Sequence, residues 1–164
     1  MAGREPDYGE TAKTVAKNIA AVREARGLTY TQLSDRLRTD FEWMLTPVAI
    51  RRIEDCQRRV TVDDLMAIAV VLDVSPASLL MPELTTVTES DHVKVTGHSK
   101  PIPAPLIWRW LTGSRALHDQ KAGAFLDRAL PAWERDRRYK AIDSAMSRNL
   151  GPRKTIEAAD GDYQ

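Results

Sequence analysis

The chain has 164 residues, 43% hydrophobic and 29% charged, a balance that excludes wholesale disorder and suits one or two small folded domains. A net charge of +1 excludes attraction to a polyanion through bulk charge, so any such affinity must come from local placement. The single cysteine, Cys56, excludes an intramolecular disulfide and a multi-cysteine zinc site, and the longest strongly apolar run, Leu65 to Leu72, falls far short of the roughly 20 residues that span a bilayer. The opening MAGREPDYGE has no apolar signal region, so the expected location is cytoplasmic.

Residues 1–10 read as a loose polar tail. From Thr11 the pattern is helical: Val15, Ile19 and Val22 recur at spacings of four and three, and Gly27 supplies the stop. The run TYTQ from Thr29 to Gln32 predicts a capping box, with Leu33 and Leu37 on the inner face of a second helix. Arg38 to Leu45 reads as a loop with Phe41 and Trp43 tucked inward. Thr46 and Pro47 predict a third start, since threonine caps and a first-turn proline lacks an N–H that would be unpaired anyway. Ile50 and Ile53 then face inward. TVDD, from Thr61, predicts a fourth helix with Val62, Leu65, Ile68, Ala69 and Leu72 inward, and Ser75-Pro76 opens a fifth that ends near Leu80. Five capped helices in so short a stretch make an all-α domain, placed at 11–82.

Beyond Pro82 the texture changes. TTVTESDHVKVT alternates only partly and reads as extended chain or a short hairpin. GHSKPIPAP reads as a linker, so 83–105 is expected to be an extended linker. A C-terminal helical region is expected at 106–150, broken at Pro131, with a disordered tail at 151–164. Trp108, Trp110, Phe125 and Trp133 read most simply as a second core or lid; a dimer interface and a small-molecule pocket stay open. ERDRRYK, from Glu134, reads as a solvated helix face.

The segments LTYTQLSDRL (Leu28 to Leu37) and TPVAIRRIEDCQRRVTVDDLMAIAVVLDVSPASLL (Thr46 to Leu80) resemble the helix-turn-helix domain of the Cro and lambda-repressor (XRE) family. Three positions depart from the usual pattern: a longer connection at Arg38 to Leu45, Tyr30 where glutamine is common, and Cys56 where glycine is common. The longer turn also resembles an actinobacterial-type group of regulators with a Trp-containing segment after the domain. The resemblance implies sequence-specific binding of double-stranded DNA by a transcriptional regulator, most simply a repressor acting as a homodimer on a palindromic operator. The helix from Thr46 would then be the recognition helix, with Pro47, Val48 and Arg51 outward. Arg51 would read guanine and Val48 a thymine methyl. Thr29, Tyr30, Thr46, Arg52, Arg58 and Arg59 would contact phosphates.

Competing readings stay open at several of these positions. Arg52 can brace the domain against Glu54 or Asp55, Arg58 and Arg59 can be solvated charges, and Tyr30 can be a packing residue. The apolar leading edge at Pro47 and Val48 also suits a protein-binding face. The rival function is a protein-interaction module, antitoxin-like or a regulatory partner, on the same fold. A second rival is a ligand-sensing regulator with a pocket around Trp108 and Trp110; a small-molecule effector thus stays open, though nothing else in the sequence supports it. His92 and His98 lack further ligands for a metal site, Cys56 reads as a small residue at a helix end, and no phosphate loop or acid–base pair is present. No enzyme activity, cofactor or metal is expected.

Overall fold

The computed structural model describes residues 8–118 and 122–149. The first seven residues and the tail expected at 151–164 lie outside them. The chain divides into two compact units, Met1–Asp119 and Gln120–Gln164.

The first unit opens with five helices: α1 (Glu10–Ala25), α2 (Tyr30–Phe41), α3 (Pro47–Glu54), α4 (Val62–Val71) and α5 (Pro76–Leu80). Four of them start where a hydroxyl meets an orphan N–H. Thr29 and Gln32 close a full capping box, with Gln32 N–H to Thr29 Oγ1 at 3.2 Å and Thr29 N–H to Gln32 Oε1 at 2.9 Å. Thr46 Oγ1 accepts from Ala49 N–H at 3.2 Å, Thr61 Oγ1 from Asp64 N–H at 3.0 Å, and Ser75 Oγ from Ser78 N–H at 3.1 Å. The inner faces meet in one core, where Ile19, Leu33, Leu37, Ile50, Ile53 and Ile68 are fully buried. Each such side chain contributes about 1.5–3 kcal/mol of hydrophobic stabilisation.

Two expectations for this region need correction. Arg38 to Phe41 is not loop: α2 runs through it and stops at Glu42, whose φ of 53° is the left-handed helix-ending conformation. Most of the extra length between the second and third helices is therefore an additional turn of α2. Phe41, carried on that turn, is exposed rather than tucked in, whereas Trp43 does pack on the core. Val62 is 77% exposed, not inward. It stands in the first turn of α4, and Ile68, Ala69, Val71 and Leu72 fill the inner face instead.

After α5 the chain does not run as an extended linker. Strands β1 (His92–Val93) and β2 (Ile102–Pro103) pair antiparallel, with His92 opposite Pro103 and Val93 opposite Ile102. Helix α6 (Ala104–Leu111) follows directly. Met81, Val93, Ile102, Ala104 and Ile107 form a second small core. The tryptophans do not build it: Trp108 and Trp110 are 40% and 38% exposed. Helix α6 belongs to the first unit and not with the later helices. The second unit holds α7 (Ala122–Ala129) and α8 (Ala132–Asn149), which abut at the expected break beside Pro131. Leu126 is buried and Trp133 is 69% exposed. Among the described residues no helix is long and apolar enough to cross a membrane.

Candidate nucleic-acid interface

The geometry of α3 follows from its eight residues. Ile50 and Ile53 lie one turn apart and are 0% and 1% exposed, so they fix the inner side. The opposite side then carries Val48, Arg51, Arg52 and Asp55, linked by steps of three and four, and all four are exposed. Val48 is 61% exposed. Thr46 stands at the helix start, exposed, with Pro47 half-buried behind it.

Two buried charge clusters hold this helix in place. Glu54, at its C-terminal end, takes a two-pronged contact from Arg23 of α1: Nε to Oε1 and Nη2 to Oε2, both at 2.7 Å. Arg23 Nη1 also donates to the Leu28 carbonyl at 2.9 Å. Hydrogen bonding to Glu54 raises the Arg23 pKa above its ordinary value, against the opposing effect of burial. The second cluster centres on Asp64, which is 2% exposed. Trp43, from the connection before α3, donates Nε1–H to Oδ1 at 3.1 Å. Arg58, from the connection after α3, donates Nη2–H to Oδ2 at 3.1 Å. Both flanks of α3 are thus tied to the start of α4. A buried pair of this kind is costly to break from one side, because the remaining charge is left uncompensated.

The predicted contact residues separate into three groups. Thr29, Thr46, Pro47, Val48, Arg51 and Arg52 lie at the start of α2 or along α3. Arg51 makes only an exposed contact with Asp55 at 3.4 Å. Arg52 does not brace the domain through Glu54, whose carboxylate is committed to Arg23; it has no ion pair among the described residues. Tyr30 and Arg58 form the second group and are engaged internally. The Arg23 guanidinium carbon lies 4.3 Å from the centroid of the half-buried Tyr30 ring. Burial, then the nearby charge of Glu54, raises the Tyr30 pKa. Arg58 is spent in part on Asp64. Arg59 stands apart, its guanidinium carbon 5.9 Å from the Tyr8 ring centroid beside the start of α1. The Arg58 backbone N–H bonds the Arg52 carbonyl at 2.9 Å, while the Arg58 and Arg59 side chains turn to Asp64 and Tyr8.

Cys56, where glycine is common in the resembled pattern, has a φ of 54° and closes α3 through its N–H to the Ile53 carbonyl at 3.0 Å. That places it as a helix-ending residue under mild backbone strain. Among the described residues no cluster of His, Cys, Asp and Glu is arranged to hold a metal ion.

Sequence reasoning missed Arg23, Asp64 and Asn18 as organising residues. Asn18 is buried and donates Nδ2–H to the carbonyls of Leu79 and Met81 at 3.0 and 2.7 Å, closing the end of α5. Nothing near it in sequence announces this role.

Comparison with known proteins agrees with this geometry. Residues 19–79 match a helix-turn-helix family model. No curated protein and no solved structure gave a match.

Proposed function

With a helix-turn-helix domain at residues 19–79 as the premise, we propose that the chain is a sequence-specific transcriptional regulator that seats α3 in the major groove of an operator. The observation that carries this reading is the outer row Val48, Arg51 and Arg52, uncovered within its unit while Ile50, Ile53 and Glu54 anchor the same helix from behind. Arg51 reads guanine through two hydrogen bonds, and Val48 meets a thymine methyl. Arg52, Thr29 and Thr46 contact phosphates and set the register. Tyr30 supports Arg23 rather than touching DNA, and Arg58 acts through Asp64. The added turn of α2 and the Trp-bearing segment after the domain support placement in the actinobacterial-type group.

The assembly is a homodimeric repressor on a palindromic site. One such module reads only a few base pairs, and two-fold pairing doubles the contacts. Repression by occlusion requires no further surface, cofactor or catalysis.

Selection from a random duplex pool tests the reading. The expected product is an inverted repeat whose half-sites lie about one helical turn apart, roughly 34–36 Å between centres. A single half-site would remove the dimer. No enrichment, together with weak binding that ignores salt, would favour the protein-interaction module instead.

A further inference from the structure

An open groove of about 290 Å³ runs beside α6 in the first unit. One wall is α6 itself, with Pro105, Trp108 and Arg109; the other is the segment before β1, with Val87 and Glu89. The two walls are fixed to each other. The Thr88 N–H and hydroxyl both donate to Asp91 Oδ2, at 2.7 and 2.9 Å. The Ala104 N–H, at the start of α6, donates to the Asp91 carbonyl at 2.8 Å. The groove is thus preorganised, which lowers the cost of filling it.

Three side chains lining it are unspent. Trp108 is 40% exposed, and its indole N–H has no hydrogen-bond partner among the described residues. Glu89 and Arg109 are exposed, and neither forms an ion pair with the other or with any described residue. Tryptophan and arginine are residue types that concentrate at the centres of protein interfaces. The two charges say which partner fits. A patch that meets its own copy about a two-fold axis must carry both halves of each contact. This one does: a carboxylate stands on one wall and a cation on the other, and the groove they share is lined by Val87, Pro105 and Trp108.

We propose that this face pairs with a second copy of the chain about a two-fold axis, Arg109 meeting Glu89 of the partner subunit and Trp108 entering the facing groove. The inference rests on the homodimer reading above and names its surface. A tryptophan buries about 150–250 Å², against roughly 800 Å² per partner in a standard stable interface, so the free dimer dissociates readily.

The test is sedimentation equilibrium of the full chain without DNA, over micromolar to millimolar loadings. The unaltered chain is expected to pass from monomer to dimer as concentration rises. Trp108→Ala, Arg109→Glu and Glu89→Arg should each weaken association about tenfold or more without changing the thermal melt. An equal mixture of the Arg109→Glu and Glu89→Arg chains should recover it, because both contacts across the axis then join opposite charges. Dimers that persist in all three variants overturn this face and leave the homodimer reading standing. Charge variants that stay monomeric when mixed overturn the two-fold pairing. A chain monomeric at every loading overturns the proposal and leaves the groove to a different protein; the inverted repeat selected on DNA judges the homodimer reading separately.

Discussion

Helices α3 and α8 differ in a way that reverses the expectation from length. The first has 8 residues and the second 18. Yet α3 is capped by Thr46, seated on two buried isoleucines and tied to α1 by a buried ion pair. On α8, Trp133, Ile142 and Met146 are 69%, 42% and 54% exposed. Its ion pairs are short-range: Glu134 with Arg137 and Arg138, three and four residues on. A helix in water is marginal by itself, so tertiary anchorage rather than length decides how rigidly it is held. Helix α8 is tied to α7 by the Tyr139 hydroxyl, which donates to the Gly123 carbonyl at 3.2 Å, so the two helices differ in the kind of anchorage: an apolar seat with a buried ion pair for α3, a hydroxyl contact for α8.

The sharpest way to break the comparison is to place one charge on each helix. Ile53→Asp buries an unpaired carboxylate and should cost more than about 4 kcal/mol, abolishing the cooperative melt of the first unit. Ile142→Asp on α8 should stay within about 0.5 kcal/mol in urea unfolding. A large effect at Ile142 would show that its face is covered.

Next in size are the ion pairs. Glu54→Ala leaves Arg23 buried and unmatched, and should cost about 3–5 kcal/mol by denaturant titration. Combining Arg23→Met with Glu54→Leu should recover most of that loss. Glu134→Ala should cost less than Glu54→Ala: its carboxylate is also largely buried, but both its partners lie within one turn on the same helix rather than on another. Equal losses at the two glutamates would erase the distinction.

The smallest expected effect concerns the end of α3. Cys56→Gly removes the side chain from a left-handed position and should raise stability by up to about 1 kcal/mol, offset in part by the freer unfolded chain. A marked loss instead would mean that the thiol packs usefully.

What was legible in the sequence follows the same division between local and distant. Thr29 with Gln32, Thr46 with Pro47, and Thr61 with Asp64 act within one turn, so the helix starts could be read directly. Ile50 and Ile53 gave the inner face of α3 by spacing alone. Arg23 with Glu54, Trp43 with Asp64 and Asn18 with Met81 lie 31, 21 and 63 positions apart, and no local pattern announces such partners. Arg58 and Arg59 looked alike as neighbours in a basic cluster. The fold sends one to Asp64 and the other to Tyr8. The tryptophans misled for a related reason. Their size suggested a core, but Met81, Val93, Ile102 and Ile107 meet first once β1 and β2 pair. Val62 misled because α4 is apolar on nearly every side, so periodicity alone could not choose its inner face.

Salt-titrated binding of a selected operator, comparing the unaltered chain with Arg51→Ala and Arg52→Ala, addresses the role of α3 most directly. Affinity should fall steeply with salt. Arg52→Ala should weaken all duplexes alike and make the log–log slope shallower by about one per protomer, while Arg51→Ala should cost about 1–3 kcal/mol at one base position and relax preference there. If both variants keep full affinity, the full salt slope and unaltered base preference, α3 is not the surface that enters the groove.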